Sequence, residues 1–411
     1  MTKSYDWLWK IIITSSLFAS AGDNDTVFNG FELTSNQKVL GYNNPGFEMK
    51  EIERNGVSYV KPVMVGSGSL SEPGQPDLPT VSTFYEVEPG KKYAIEVSIE
   101  QYETIENVDL MPFDSWDPGQ STNLAQNKTF NQATHFPEQI AVVSDPMIFR
   151  DIAMVQVSLT PFQYNPLTKT LTVIESVEME LIETESIEMP FIPEKRSREF
   201  ESLYESLILN YSSIERDAED YQRPAILYVL PSNIGNLLGT VEELMNWKKR
   251  VGYDVHYVSS SSIVNNRNNL KDYIEEAYET WDNPPVHVNI VGDANGNYDI
   301  PTWTESYSGY NGEGDMPYTT LEGGDVYPEI FIGRMSFSSS SHLNTIISKT
   351  LNYESNPYMN DNWFQRACLV GDPNTSGISC VITNENINEM LDLAGFEEVN
   401  TIYGGSFPSQ M

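Results

Sequence analysis

An all-β, sandwich-like region followed by an α/β region with a parallel sheet is the fold class predicted by this 411-residue sequence. Three observations predict it. Apolar residues alternate with polar ones through residues 22–182, apolar strands separated by amphipathic helices begin at Pro224, and a polar, non-periodic stretch (183–223) lies between. The chain is longer than an average domain, so two domains with sizeable cores are expected.

The N-terminus reads as an address. Lys3 and Lys10 flank a polar stretch, IIITSSLFASA follows, and Ala19-Ser20-Ala21 offers small residues at the spacing of a cleavage site, so 1–21 is expected to be a secretory signal peptide. No later segment approaches the roughly 20 apolar residues of a membrane helix, and no membrane span is expected. The β region follows. Tyr93, Ile95, Val97 and Ile99 alternate, as do 154–159 and 171–177, and the turn-formers EPGQPDLP and PFQYNP separate such runs. Residues 183–223 are crowded with Glu, Ser, Lys and Arg; they are expected to form an exposed connector with a helical piece at 200–209, and the stretch from the Lys195-Arg196-Ser197-Arg198 patch up to Arg223 is expected to be cut during maturation.

From residue 224 the period changes. AILYVL (225–230) is a continuous apolar strand, Leu237, Val241, Leu244, Met245 and Trp247 share a helix face, and Gly252 ends that helix. A strand at 253–258, a helix at 270–281 and the strand VHVNIVGD (286–293) complete a strand–helix alternation, the pattern of a covered parallel sheet. Ligands of such sheets sit beyond the carboxyl ends of the strands, which places Asp293 at the functional edge.

Composition narrows the partners. The 59 acids outnumber the 24 Lys and Arg for a net charge of -35, with acids in excess in both regions, so nucleic acid is not an expected partner. The same excess suits an extracellular surface and offers oxygen ligands to hard cations. Two cysteines, Cys368 and Cys380, make no disulfide scaffold, and the sequence leaves their pairing open.

The helix VEELMNWKKRVGYDV, the strand end VGD (291–293), GGDVYPEIFIGRMS (323–336) and TLNYE (350–354), in that order and spacing, resemble the first part of the catalytic domain of the gingipain-type cysteine peptidases. GQPDLP and PFQYNPLTKTLTV resemble that family's propeptide. The resemblance implies a caspase-like α/β domain over 224–411 behind a propeptide over 22–182 that contacts it in cis. It also implies protein or peptide substrates and a structural calcium ion near 323–336.

Carboxylates beside glycines suit such an ion, and Asp325, Tyr327 and Glu329 are expected to alternate along a strand mouth with their oxygens converging, Asp293 being a further ligand or a loop-ordering residue. The alternative is that these acids solvate the loop and cap backbone N–H groups. Arg334 is expected to be a salt-bridge partner.

The family's chemistry needs a thiolate and an imidazole. His135, His256, His287 and His342 lack the Gly-His setting of the family base, Cys368 is expected to be a buried structural thiol, and Cys380 is expected to be more open at a helix start. The resemblance places both catalytic groups beyond Met411, in a chain read as truncated, and makes Asp372 the nearest match to the acidic helper of the histidine, with Pro373 the alternative at that position. Val381 stands where arginine-specific relatives carry an acid. A secreted zymogen fragment and a non-catalytic extracellular binding module on the same scaffold both remain open.

Overall fold

The computed structural model describes residues 29–34, 39–54, 56–113, 135–211, 217–307, 310–355, 362–372 and 379–404. The expected signal peptide (1–21) lies outside them. The chain forms two compact units, Met1–Leu238 with Lys248–Ser339, and Gly239–Trp247 with Ser340–Met411. Among the described residues no helix is long and apolar enough to cross a membrane.

The first unit opens with twelve strands: β1 (Phe31–Leu33), β2 (Val39–Asn43), β3 (Glu48–Arg54), β4 (Val57–Val63), β5 (Gly68–Leu70), β6 (Leu78–Val87), β7 (Lys91–Ile105), β8 (Ala141–Val143), β9 (Met147–Phe149), β10 (Ile152–Leu159), β11 (Phe162–Asn165) and β12 (Thr170–Ser186). Ten of them build one antiparallel sheet in the order β1-β2-β12-β11, with β7 also on β12, and another in the order β5-β6-β10-β8, with β9 also on β10, while β3 and β4 pair as a separate hairpin. Alternating side chains of both sheets meet in one core that holds Leu40, Val81, Val157, Phe162, Val173 and Val177 at 1% exposure or less. Burial of each large apolar side chain contributes about 1.5–3 kcal/mol.

The connector differs from its expectation. Helix α1 (Glu201–Leu207) lies where the sequence places it, but Ser197 is buried, and Phe200, Tyr204 and Ile208 are buried in an apolar cluster with Phe149 and Val286. Arg196 is pinned as well, its N–H donating to the Asp220 carbonyl (3.1 Å) and its carbonyl accepting the Gln222 N–H (2.9 Å). The Lys195–Arg198 patch is therefore partly built into the fold.

The parallel sheet follows as β13 (Ala225–Val229), β14 (Asp254–Val258), β15 (His287–Val291) and β18 (Phe331–Met335), in the order β14-β13-β15-β18; hairpin β16 (Trp303–Tyr307) and β17 (Tyr310–Gly314) lies between β15 and β18 in sequence. Every residue of β13 is buried, as its unbroken apolar run requires. Helix α2 (Leu238–Arg250) precedes β14, and helix α3 (Arg267–Thr280), capped by the Asn266 side chain on two N–H groups, joins Leu270, Ile274 and Tyr278 to Leu227, Val229 and Ile290.

In the second unit, helix α4 (Ser340–Ser355) meets the 239–247 stretch of α2 through Thr240–Asn344 (3.0 Å) and Trp247–Glu354 (2.8 Å) hydrogen bonds. Parallel strands β19 (Arg366–Gly371) and β20 (Glu398–Tyr403) pack with helix α5 (Ser379–Leu393).

Candidate functional site

The acids singled out from the sequence do not line a strand mouth. Gly323 and Gly324, at φ 74° and 63°, turn the chain, and 325–329 is a loop with β18 starting only at Phe331. A Cβ at Gly323 would stand 2.5 Å from an Asp325 oxygen, so only glycine fits. Asp325 spans the turn: Oδ1 accepts the Tyr327 N–H (2.8 Å) and Oδ2 accepts the Ile148 N–H (2.8 Å). Burial raises its pKa, partly offset by those two N–H groups. The Tyr327 ring lies edge-on to Phe84 (5.5 Å) and tilted to Phe149 (5.8 Å).

Glu329 is wholly buried, with Oε2 accepting the N–H groups of Leu321 (2.6 Å) and Glu322 (3.2 Å) and Oε1 without a hydrogen-bond partner. Burial pushes its carboxyl up to about 8. Asp293 follows β15 and caps its own loop, accepting the Ala294 N–H (2.9 Å) while its backbone pairs with Tyr298 and Ile300.

A calcium cage needs about six to eight oxygens. Among the described residues no three acids, histidines or cysteines come together as a metal group. Both Asp325 oxygens accept N–H groups, Tyr327 faces aromatic rings, and Asp293 orders a separate turn, so among the described residues these four are not gathered into one oxygen cage. Asp293, Asp325 and Glu329 each cap backbone N–H groups.

The carboxyl edge of the four-stranded sheet is closed by Arg334. Its Nε and Nη2 donate to the two Asp315 oxygens (2.7 Å each) and its Nη1 to the carbonyls of Gly292 (3.2 Å) and Ile300 (2.9 Å). This is the salt bridge expected from the sequence. Burial alone would raise the Asp315 pKa, but hydrogen bonds from Arg334 and Thr302 outweigh it and hold the carboxyl below its usual range.

Asp372 is exposed directly after β19, its Oδ1 3.3 Å from where a Cβ at Gly404, just past β20, would stand; it thus lies at the carboxyl ends of that parallel pair. Pro373 lies outside the described residues. Cys368 and Cys380 are not joined in a disulfide, and Cys368, expected to be buried, is exposed because the strand residues of β19 alternate between exposed and half-buried. His256 pairs with Asp254 (3.3 Å) and leans on Trp281, while His287 stacks on Phe331 (5.4 Å), 4.0 Å from Glu199, with burial lowering its pKa.

The sequence reading missed a second cluster, at the amino edge of the same sheet. β9 and β10 are joined by the two-residue turn Arg150-Asp151. Arg150 has no exposed surface; Nη1 donates to the carbonyls of Pro285 (3.2 Å) and Glu329 (2.5 Å), and Nη2 to Gln222 Oε1 (3.0 Å). Its neighbour Asp151 accepts the Ser197 N–H (2.9 Å), and burial raises the Asp151 pKa against the nearby Arg150 charge. The signal was present: a charged pair inside the apolar run PMIFRDIAMV.

Fold and geometry define a chain in which an antiparallel β region seats a hairpin on the amino edge of a parallel α/β sheet. Residues 33–218 match the model of the C25 propeptide, and residues 219–410 match that of Peptidase family C25. The chain belongs to the gingipain-type cysteine peptidase family, with a propeptide followed by part of the catalytic domain.

It is 26% identical over 378 residues to gingipain R2 of Porphyromonas gingivalis, covering 87% of this chain and 50% of the relative. To Lys-gingipain of the same organism it is 23% identical over 349 residues, covering 79% and 19%. The chain thus spans half or less of the length of these curated relatives. Among solved structures, the complex of P. gingivalis RgpB pro- and mature domains gives a TM-score of 0.37 at 24% identity, over 44% of this chain and 97% of that one. The Arg-specific cysteine proteinase gingipain R gives 0.37 at 25% identity, over 48% and 44%.

Proposed function

We propose that these residues are the zymogen portion of a secreted cysteine endopeptidase. The β region serves as the propeptide, and the parallel-sheet region begins a domain that hydrolyses peptide bonds in protein or peptide substrates. The observation that carries this reading is the ordered tiling of the chain by a propeptide and a peptidase match. Secretion is supported by the charge, apolar run and small residues of 1–21.

In this reading the nucleophilic thiolate and the imidazole that activates it are supplied by sequence outside these 411 residues. The settings of His256, His287 and Cys368 support that: the two histidines are engaged within the sheet, and the cysteine sits within a strand. The thiolate attacks the scissile carbonyl, the imidazolium protonates the leaving amine, and water then hydrolyses the thioester. Asp372 orients that imidazole from the end of β19.

The experiment is an assay of the purified 411-residue chain with a broad set of fluorogenic peptides under reducing conditions, beside Cys368→Ala and Cys380→Ala. No turnover is expected from any of the three. Turnover that vanishes in one variant would make that cysteine the nucleophile and overturn the reading.

A further inference from the structure

Arg150 carries two local costs at once. Its φ of 48° lies in the left-handed region that long side chains rarely adopt, and its guanidinium is removed from water. The β region repays little of this. Within it, the guanidinium meets only the adjacent Asp151 carboxylate, Nε to Oδ1 at 3.4 Å. The compensation comes mainly from beyond the connector's helix: the carbonyls of Pro285 and Glu329, the Gln222 amide and the Tyr278 ring at 5.5 Å from Cζ, with only the Phe200 ring (5.4 Å) supplied from the Arg150 side of Asp217.

The backbone of the hairpin is received as well. Asp325 takes the Ile148 N–H, and the Tyr278 hydroxyl donates to the Arg150 carbonyl (3.3 Å). Asp325 and the Glu329 carbonyl thus belong to a receptor for an extended segment.

Position gives this receptor its meaning. Pro285 and Glu329 precede β15 and β18, so their carbonyls lie at the amino edge of the sheet, whereas ligands of such sheets bind beyond the carboxyl ends. We propose that this amino edge is a guanidinium-recognising docking site, remote from the carboxyl edge, whose occupant is the Met147–Ile152 hairpin and which retains the β region after the connector is cut. The contact holds the β region in place without acting as a substrate mimic. The assignment stands whether or not the chain completes a peptidase, because it concerns only contacts within these residues.

The test uses the full chain with a site-specific protease sequence placed between Tyr211 and Asp217. After cutting, the two wild-type pieces are expected to co-elute on gel filtration, with a Kd measurable by sedimentation. Arg150→Ala should weaken that Kd about a hundredfold or more, as loss of one partner from a buried, hydrogen-bonded charge does. Arg150→Lys should also weaken it, because an ammonium cannot reproduce the planar fork that meets the carbonyls and the amide.

Gln222→Leu leaves the hairpin intact and serves if Arg150→Ala does not fold; a weakening of about tenfold is expected. A peptide of the Met147–Ile152 sequence should compete for the cut wild-type complex, and its counterpart with alanine at the arginine should not. Cut wild type that separates at micromolar concentration, or a Kd unchanged in both Arg150→Ala and Gln222→Leu, would overturn the proposal. So would a calcium-dependent Kd in wild type that Asp325→Asn abolishes, which would return Asp325 to cation binding.

Discussion

Both edges of the four-stranded sheet hold an arginine against strand-end carbonyl oxygens, and the two are balanced in different ways. At the carboxyl edge Arg334 faces Asp315 through two parallel hydrogen bonds, so charge is neutralised within the α/β region and the side chains keep 13% and 16% of their surface. At the amino edge Arg150 arrives from the β region, is wholly buried, and receives mainly neutral acceptors. The first arrangement is self-contained. The second requires two parts of the chain to meet, and so it couples their stabilities.

The contrast is open to direct attack. The largest effect is expected from Arg150→Ala in the uncut chain: about 3–5 kcal/mol lost in urea unfolding, since it strips the buried donor from the Pro285 and Glu329 carbonyls and the Gln222 amide and removes the charge beside Asp151. Equal losses from Arg150→Ala and Arg334→Ala would erase the distinction between the edges.

Glu329→Gln sharpens it through pH. The Glu329 carboxyl titrates near 8 in the fold and near 4.5 when unfolded, so it is a buried neutral acid. The unfolded chain loses that proton first, and stability is therefore full below about pH 4.5 and falls as pH rises to about 8. Glutamine removes the fall, so the unfolding free energies of variant and wild type, measured in urea, should diverge with rising pH, by on the order of a few kcal/mol at pH 8.

Asp315→Asn should cost about 1–3 kcal/mol at neutral pH, an effect of opposite pH sense. The Asp315 carboxyl is held below its ordinary 3.8, so its contribution is present above that value and lost as pH falls through the folded pKa. Acid titration of the melting temperature should show wild type and variant converging. The smallest effect belongs to neither edge: Glu398→Gln, which breaks the half-exposed pair with Arg366, should change stability by less than about 0.5 kcal/mol.

Periodicity made most of the fold legible. The unbroken AILYVL run, the spacing of Leu270, Ile274 and Tyr278, and the alternation along β10 each follow from which faces are covered. The connector was misread because its charged residues drew attention away from Phe200, Tyr204 and Ile208, which recur every four residues and bury one face. Asp325 and Glu329 were conspicuous in sequence, but alternation was assumed where two left-handed glycines turn the chain. The Arg150-Asp151 pair stands out inside its apolar run, but what Arg150 meets was illegible for a deeper reason. Its partners lie 72, 135 and 179 residues away, and no local pattern encodes contacts of that range.

That last separation also has a temporal side. During synthesis at roughly 5–20 residues per second, the 179 residues between Arg150 and Glu329 take roughly 9–36 s to emerge. For that interval the β9–β10 hairpin can form only with its guanidinium in water, waiting for acceptors the ribosome has not yet made. The nascent β region thus carries, at the tip of one turn, a solvated charge that is dehydrated only when β18 arrives, and the order of translation sets the order in which the two parts can close on each other.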